Sequence, residues 1–363
     1  MAELRVLEVL GSSAGGVARH VAQIVGAAQD RGFQVVVAGP DRLRAQLVAG
    51  SGSPFQPVEI ADRPGPADLR TLGRLRTLAG GADVVHAHGL RAGVLALVAA
   101  RLAPGRPPVV VTLHNLPVGG RAIAAVAGAL EAVVAHGAHT VLGVSGDLVD
   151  RARKRGALRV ARALVPAPAR RGTIADPDAV RSALGVGVDQ HLLVTVARLA
   201  PQKGLDLLCD AAALLHAKAL PVLWVVAGDG PLLGDVQARI VRDELPVRML
   251  GRREDVADLM GAADVVVSSA RWEGQPLGVQ EALVLGAAVV ATDVGGTREV
   301  TGDAAVLVDP DARSLAAAVE SLLRDGASRE ALRAAARDRA RQLPTLEDMM
   351  NQLITVWNEA VGR

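Results

Sequence analysis

Residues 4–40 read Leu4-Arg-Val-Leu-Glu-Val-Leu10, then Gly11-Ser-Ser-Ala-Gly15-Gly16, a longer stretch Val17–Asp30, and Phe33-Gln-Val-Val-Val-Ala38 closed by Gly39-Pro40. A short apolar run, a Gly/Ser loop, a helical stretch and a second apolar run predict a strand–helix–strand unit. Such a unit implies parallel strands joined by a right-handed crossover. The loop at 11–16 does not have the G-x-G-x-x-G spacing, and the second strand ends Ala38-Gly39-Pro40 with no acid for a ribose, so a nicotinamide dinucleotide site is not expected.

The same alternation continues outward. Asp83–His86, Val109–Leu113 and Thr140–Val144 read as strands, with Asp68–Leu78 and Ala92–Leu102 as helices between them. A Pro-rich passage over Leu164–Pro177 interrupts the pattern and predicts an interdomain link. The alternation then restarts. Leu192–Val196, Val222–Ala227, Val247–Leu250, Asp264–Ser268, Ala288–Ala291 and Ala305–Val308 are strand-like, and Leu205–Ala217, Leu232–Asp243, Pro276–Leu285, Ser314–Arg324 and Arg329–Leu343 are helical. The expected fold is therefore α/β, with two Rossmann-like domains over residues 1–165 and 166–345 facing each other across a cleft. Residues 346–363 are expected to form a helix that packs back on the first domain.

Composition narrows the function classes. At 363 residues, half of them hydrophobic and 21% charged, the chain has ample material for two cores. Aromatics are scarce, with two Phe, three Trp and no Tyr, which argues against stacking on nucleic acid. One cysteine, Cys209, allows no internal disulfide, and no Cys/His array has zinc spacing. The start of the chain lacks a signal-peptide layout, and no apolar run reaches the ~18 residues of a membrane span, so a cytoplasmic protein is expected. Residues 1–165 carry about eight more Lys/Arg than Asp/Glu, and the remainder about six fewer. A basic first half suits an anionic or lipid-linked acceptor and peripheral contact with a membrane surface.

The strongest chemical signal is Ser268-Ser-Ala-Arg-Trp-Glu273-Gly-Gln-Pro276-Leu-Gly-Val-Gln-Glu281-Ala-Leu-Val-Leu-Gly286. Glu273 falls in a loop after a strand, and Pro276 is expected as the first residue of a helix. The N–H groups of Leu277, Gly278 and Val279 would then be free at a helix start, which makes an anion site. Glu281 lies about one turn deeper on the face of Leu277 and Gly278. Carboxylates on either side of an anion-binding helix start suit a nucleotide sugar, with hydroxyls for the acids and diphosphate for the amides.

Glu273 and Glu281 form an E-x7-E pattern, and the chain resembles the retaining GT-B glycosyltransferases, family 4 in particular. The resemblance extends to Gly15-Gly16-Val17-Ala18-Arg19-His20, Val84-Val85-His86-Ala87-His88, Thr112-Leu113-His114, Ala197-Arg198-Leu199 with Lys203-Gly204, Ala227-Gly228-Asp229-Gly230-Pro231 and Val294-Gly295-Gly296-Thr297-Arg298-Glu299. It implies a hexosyl transfer from a uridine- or guanosine-linked donor, without metal or other cofactor. The donor would bind the second domain and an unidentified hydroxyl acceptor the first. Arg198 and Lys203 would hold the diphosphate, Glu281 the ribose, and Glu273 hydroxyls of the transferred sugar. The amides of Gln275, Leu277, Gly278 and Val279 would contact sugar and phosphate, and Gly15 and Gly16 would let the first loop approach the phosphates. His114 would sit beside the sugar, and Gly251 and Arg252 beside the base. An epimerase of the same architecture and an inactive nucleotide-sugar binder are the alternatives.

Several weaker signals are expected to be structural. Asp176-Pro177-Asp178 and Asp309-Pro310-Asp311 resemble a metal-binding Asp-x-Asp but precede helices, where Asp caps and Pro starts. Asp147 is expected to cap the next helix. His86 and His88 are expected on opposite faces of their strand, and so not on one metal. Arg151-Ala-Arg-Lys-Arg155 is expected to be a solvated helix end.

Overall fold

In a computed structural model, residues 4–12, 15–61, 63–116, 121–167 and 175–363 are described. The chain divides into two compact units: Met1–Pro166 with Pro344–Arg363, and Ala167–Leu343. Half of the Pro-rich passage, residues 168–174, lies outside the described residues.

The first unit is built on seven parallel strands: β1 (Arg5–Leu10), β2 (Gln34–Gly39), β3 (Phe55–Pro57), β4 (Val84–His88), β5 (Val109–Leu113), β6 (Thr140–Gly143) and β7 (Val160–Arg162), in the order β3-β2-β1-β4-β5-β6-β7. Every position of β4 and β5 is buried. Strands covered by helices on both faces have no polar side to show, which is why these segments read as unbroken apolar runs. The edge strands β3 and β7, three residues each, are too short to carry a pattern. Direction of winding reverses between β1 and β4, the position where α/β sheets open a crevice at their carboxyl ends.

The second unit has six parallel strands: β8 (His191–Val196), β9 (Val222–Ala227), β10 (Val247–Gly251), β11 (Val265–Ser268), β12 (Val289–Thr292) and β13 (Val306–Val308), ordered β10-β9-β8-β11-β12-β13. Its reversal lies between β8 and β11. One face of this sheet packs Trp224, Leu208, Cys209 and Leu315, and the other Leu192, Val225, Met260 and Leu283.

Local chemistry explains the helix boundaries. Asp176 accepts a hydrogen bond from the Asp178 amide with Pro177 in the first turn, and Asp311 accepts from the Arg313 and Ser314 amides; both are caps. Asp147 is not: Ser145 occupies the cap position of the helix Gly146–Lys154, and Asp147 sits in its first turn. The final helix, Leu346–Val361, starts with a capping box between Thr345 and Asp348. It belongs to the first unit. Trp357 is fully buried with its ring 5.6 Å from Phe33 and 6.0 Å from His86. Gln352 accepts from the Leu164 amide at 2.9 Å and donates to the Arg162 carbonyl at 2.8 Å, tying the helix beside β7.

Candidate active site

In the second unit, the carboxyl ends of β8 and β11 border a cleft of about 430 Å³, lined among others by Ala197, Lys203, Ser269, Glu273, Gly278 and Val279. Lys203 forms an ion pair with Glu273, both side chains being mostly buried. A cation and a carboxylate mostly removed from water, and paired with each other alone among the described residues, can exchange partners when a ligand brings phosphate and hydroxyl groups.

The helix beside them starts one residue later than expected. It spans Leu277–Val284, and Pro276 is its cap residue, with ψ of 77° rather than a helical value. The Leu277 amide is consequently spent on the Gln275 carbonyl at 2.9 Å. The amides of Gly278 and Val279 have no acceptor among the described residues, and both residues line the cleft. The anion-binding end is thus two amides, not three. Gln275 is turned away toward Gln280, donating from Nε2 to Oε1 at 3.1 Å.

Arg198 follows the cleft-lining Ala197 and is exposed, with no ion pair or hydrogen bond from its guanidinium among the described residues. Two motifs hold this loop. The Ala197 amide donates to the Ala227 carbonyl at 3.1 Å, and the Leu199 amide to the Asp229 carbonyl at 3.0 Å. Gly228 makes that approach feasible, because a Cβ there would lie 1.8 Å from the Ala197 carbonyl oxygen. Gly295 does the same for Glu273: its φ is 52°, and a Cβ would lie 1.9 Å from the Glu273 carbonyl oxygen. The next amide, Gly296, donates to that oxygen at 2.8 Å. Ser269 Oγ donates to the Lys203 carbonyl at 3.0 Å. The loops carrying Arg198, Lys203 and Glu273 are therefore each clamped by backbone contact rather than by their own side chains. Glu281 is half-buried and, like Leu277, Gly251 and Arg252, does not line this cleft.

The other candidates lie in the first unit. Gly15, at φ 71°, caps the helix Gly16–Asp30, and Gly16 is its first residue; both are exposed. His114 follows β5 and is 8% exposed. It belongs to a buried cluster that the sequence did not announce. Glu8 on β1 takes His86 Nδ1 at 3.2 Å and His88 Nε2 at 2.7 Å, His86 Nε2 meets Thr112 Oγ1 at 2.8 Å, and His88 Nδ1 meets His114 Nε2 at 3.1 Å. His86 and His88 share one face, contrary to expectation, because residues two apart on a strand point the same way. With Glu8 they bring three potential ligand atoms within 4.8 Å of one another, yet all three groups are already engaged in hydrogen bonds. Burial drives the Glu8 carboxyl up, but attraction to and hydrogen bonds from His86 and then His88 outweigh it and hold the group at about 2. Burial, reinforced by the neighbouring imidazoles, lowers His20 to about 3 and His114 well below its usual value.

The basic run at 151–155 is half neutralised, its four cations facing two carboxylates. Arg151 and Arg155 both pair with the buried Glu131, at 2.5 and 3.1 Å, and Arg153 reaches Asp150 at 3.4 Å. No helix among the described residues is long and apolar enough to cross a membrane.

Two doubly wound units of parallel sheet are the architecture of the GT-B class. Residues 190–325 match the family described as glycosyl transferases group 1, and residues 15–168 match the glycosyl transferase 4-like domain. The chain belongs to the GT-B glycosyltransferases, and its first unit carries the family 4 type of domain. It is 34% identical over 189 residues to a D-inositol 3-phosphate glycosyltransferase of Jonesia denitrificans, covering 47% of this chain and 45% of that one. It is 27% identical to the Escherichia coli UDP-Gal:alpha-D-GlcNAc-diphosphoundecaprenol alpha-1,3-galactosyltransferase, covering 59% and 58%. The chain thus spans about half the length of these curated relatives. In fold it is similar to Anabaena HepE, solved with UDP and glucose, at a TM-score of 0.84 and 21% identity over 98% of this chain and 100% of that one. Both matching families are transferases, which does not favour the epimerase alternative.

Proposed function

We propose that this protein is a retaining, metal-independent glycosyltransferase that moves a hexosyl group from a uridine or guanosine diphosphate sugar to a hydroxyl of an anionic acceptor. The observation that carries this reading is the cleft in which Lys203, Glu273 and the unpaired amides of Gly278 and Val279 converge. Donor diphosphate would draw Lys203 from Glu273, with Arg198 supplying a second, planar cation. Glu273, released, would accept hydrogen bonds from sugar hydroxyls. Glu281 would hold the ribose, and Gly251 and Arg252 would border the base.

In the reaction the bond from the anomeric carbon to the phosphate oxygen breaks, with its electron pair leaving on phosphate. The acceptor oxygen bonds to the same face of that carbon, and its proton passes to the departing phosphate oxygen. Charge building on phosphate is what Arg198, Lys203 and the amides address, at about 3–4 kcal/mol for one well-aimed donor. Retention and freedom from metal rest on the family resemblance and on this set of fixed positive groups. A phosphate-bearing acceptor agrees with the basic surplus of residues 1–165 and with the acceptors named for the two curated relatives.

A thermal-shift screen of UDP-, GDP- and ADP-sugars tests the donor: the cognate one raises the melting point. Lys203→Ala is expected to lower kcat by roughly two to three orders of magnitude. A near-normal rate would remove Lys203 from the mechanism, and strong inhibition by a chelator would contradict the metal-free chemistry.

A further inference from the structure

The buried cluster of the first unit has a directional order. Glu8 is ionised and 1% exposed, so as an anion it can only accept hydrogen bonds, and both of its partners must donate. His86 then carries its proton on Nδ1 and His88 on Nε2. His88 is held below its usual value chiefly by burial, so it is neutral and its Nδ1 is a lone pair. His86 Nε2 is hydrogen-bonded to the Thr112 hydroxyl, and His88 Nδ1 accepts from His114. His114 must therefore carry its proton on Nε2, which leaves Nδ1 as an acceptor. That nitrogen makes no hydrogen bond to any described residue. The carboxylate thus fixes the tautomer of His88, and His88 in turn fixes that of His114.

We propose that Glu8 is a positioning residue: through His88 it locks His114 in a single tautomer that offers Nδ1 as an acceptor to a hydroxyl-bearing ligand. The flanking group fits this. His20, 4% exposed, lies with its ring 5.6 Å from that of His114, and its own Nδ1 is buried without a partner. The His114 Nδ1 lone pair suits a hydroxyl hydrogen rather than a phosphate oxygen, and the partnerless His20 Nδ1 belongs to the ring packed beside it. A sugar or polyol is the ligand class this serves. The assignment deepens the reading of His114 as a residue beside the transferred sugar, but the order of protons does not depend on turnover.

The test is two-bond ¹H–¹⁵N correlation on histidine-labelled protein, which reads the protonated nitrogen of each ring. The intact chain is expected to show His114 and His88 protonated on Nε2 and His86 on Nδ1. A His114 ring protonated on Nδ1, or a stoichiometric metal retained by Glu8, His86 and His88, would overturn the proposal. In Glu8→Leu both acceptors vanish, so His88 is expected to shift its proton to Nδ1 and donate to His114, reversing that ring as well. A folded Glu8→Leu with an unchanged His114 also sinks it. Should this variant not fold, the spectrum of the intact chain decides alone. Because no substrate enters the experiment, a wrong donor assignment leaves its outcome untouched.

Discussion

His20, His88 and His114 are buried imidazoles held neutral in the folded chain, and Glu8 beside them is a buried carboxylate held ionised. Both facts make the first unit acid-sensitive. The unfolded chain takes up a proton on each histidine near pH 6.5, whereas folded His20 resists until about 3. The unfolded state therefore binds more protons across that window, and stability falls as pH drops from about 6.5 toward 3, by up to about 1.4 kcal/mol per pH unit for each such group. Below about 4.5 Glu8 adds to the loss as pH descends toward its folded value of about 2. Hydrogen exchange of first-unit amides at pH 7.5 and 5.0 measures this. A level profile between them would contradict neutral buried imidazoles. At this scale the sequence marked Lys203 and Glu273, because their neighbours are distinctive in local spacing. It hid Glu8, which reads as a stray acid in an apolar strand, and its meeting with His86 and His88 depends on β1 and β4 being adjacent although some 78 residues separate them.

Between elements, the site depends on backbone sockets more than on side-chain contacts. Gly228 and Gly295 admit the carbonyls of Ala197 and Glu273 at distances no Cβ tolerates. Gly295→Ala must push the Glu273 loop away and adopt an unfavourable φ as well. A cost of about 1–3 kcal/mol in the second unit is expected, with kcat lowered at least tenfold because Glu273 and the cleft are displaced together. An assay and a urea melt of this variant check both. Wild-type turnover in Gly295→Ala would show that Glu273's placement is not set by this contact. Apart from the three-residue edge strands β3 and β7, the strands and most helices were legible from apolar alternation. What was not legible was the purpose of glycines at 228 and 295: each answers a carbonyl tens of residues away, or a neighbouring loop, and a glycine in a sequence does not say what approaches it. Pro276 misled for a related reason, since whether proline caps a helix or opens it is decided by the preceding loop.

At the level of the whole chain, the first unit is discontinuous, taking up Pro344–Arg363 after the second unit is complete. Trp357 is its largest late contribution, fully enclosed against Phe33 and His86. Trp357→Ala is expected to destabilise the first unit by about 3–5 kcal/mol. Residues 1–166 expressed alone should be open to protease, and a peptide of residues 344–363 should protect them. Resistance without the peptide would show the last helix to be dispensable.

The return of the helix Leu346–Val361 to β4, β5 and the helix Gly16–Asp30 also sets a timetable for biogenesis. On the ribosome, the opening sheet emerges early and then waits while Ala167–Leu343 is translated, roughly 10–35 seconds at about 5–20 residues per second. The half made first is thus the half finished last, and for that interval the apolar seat of Trp357 stands open, the moment at which a chaperone has something to hold.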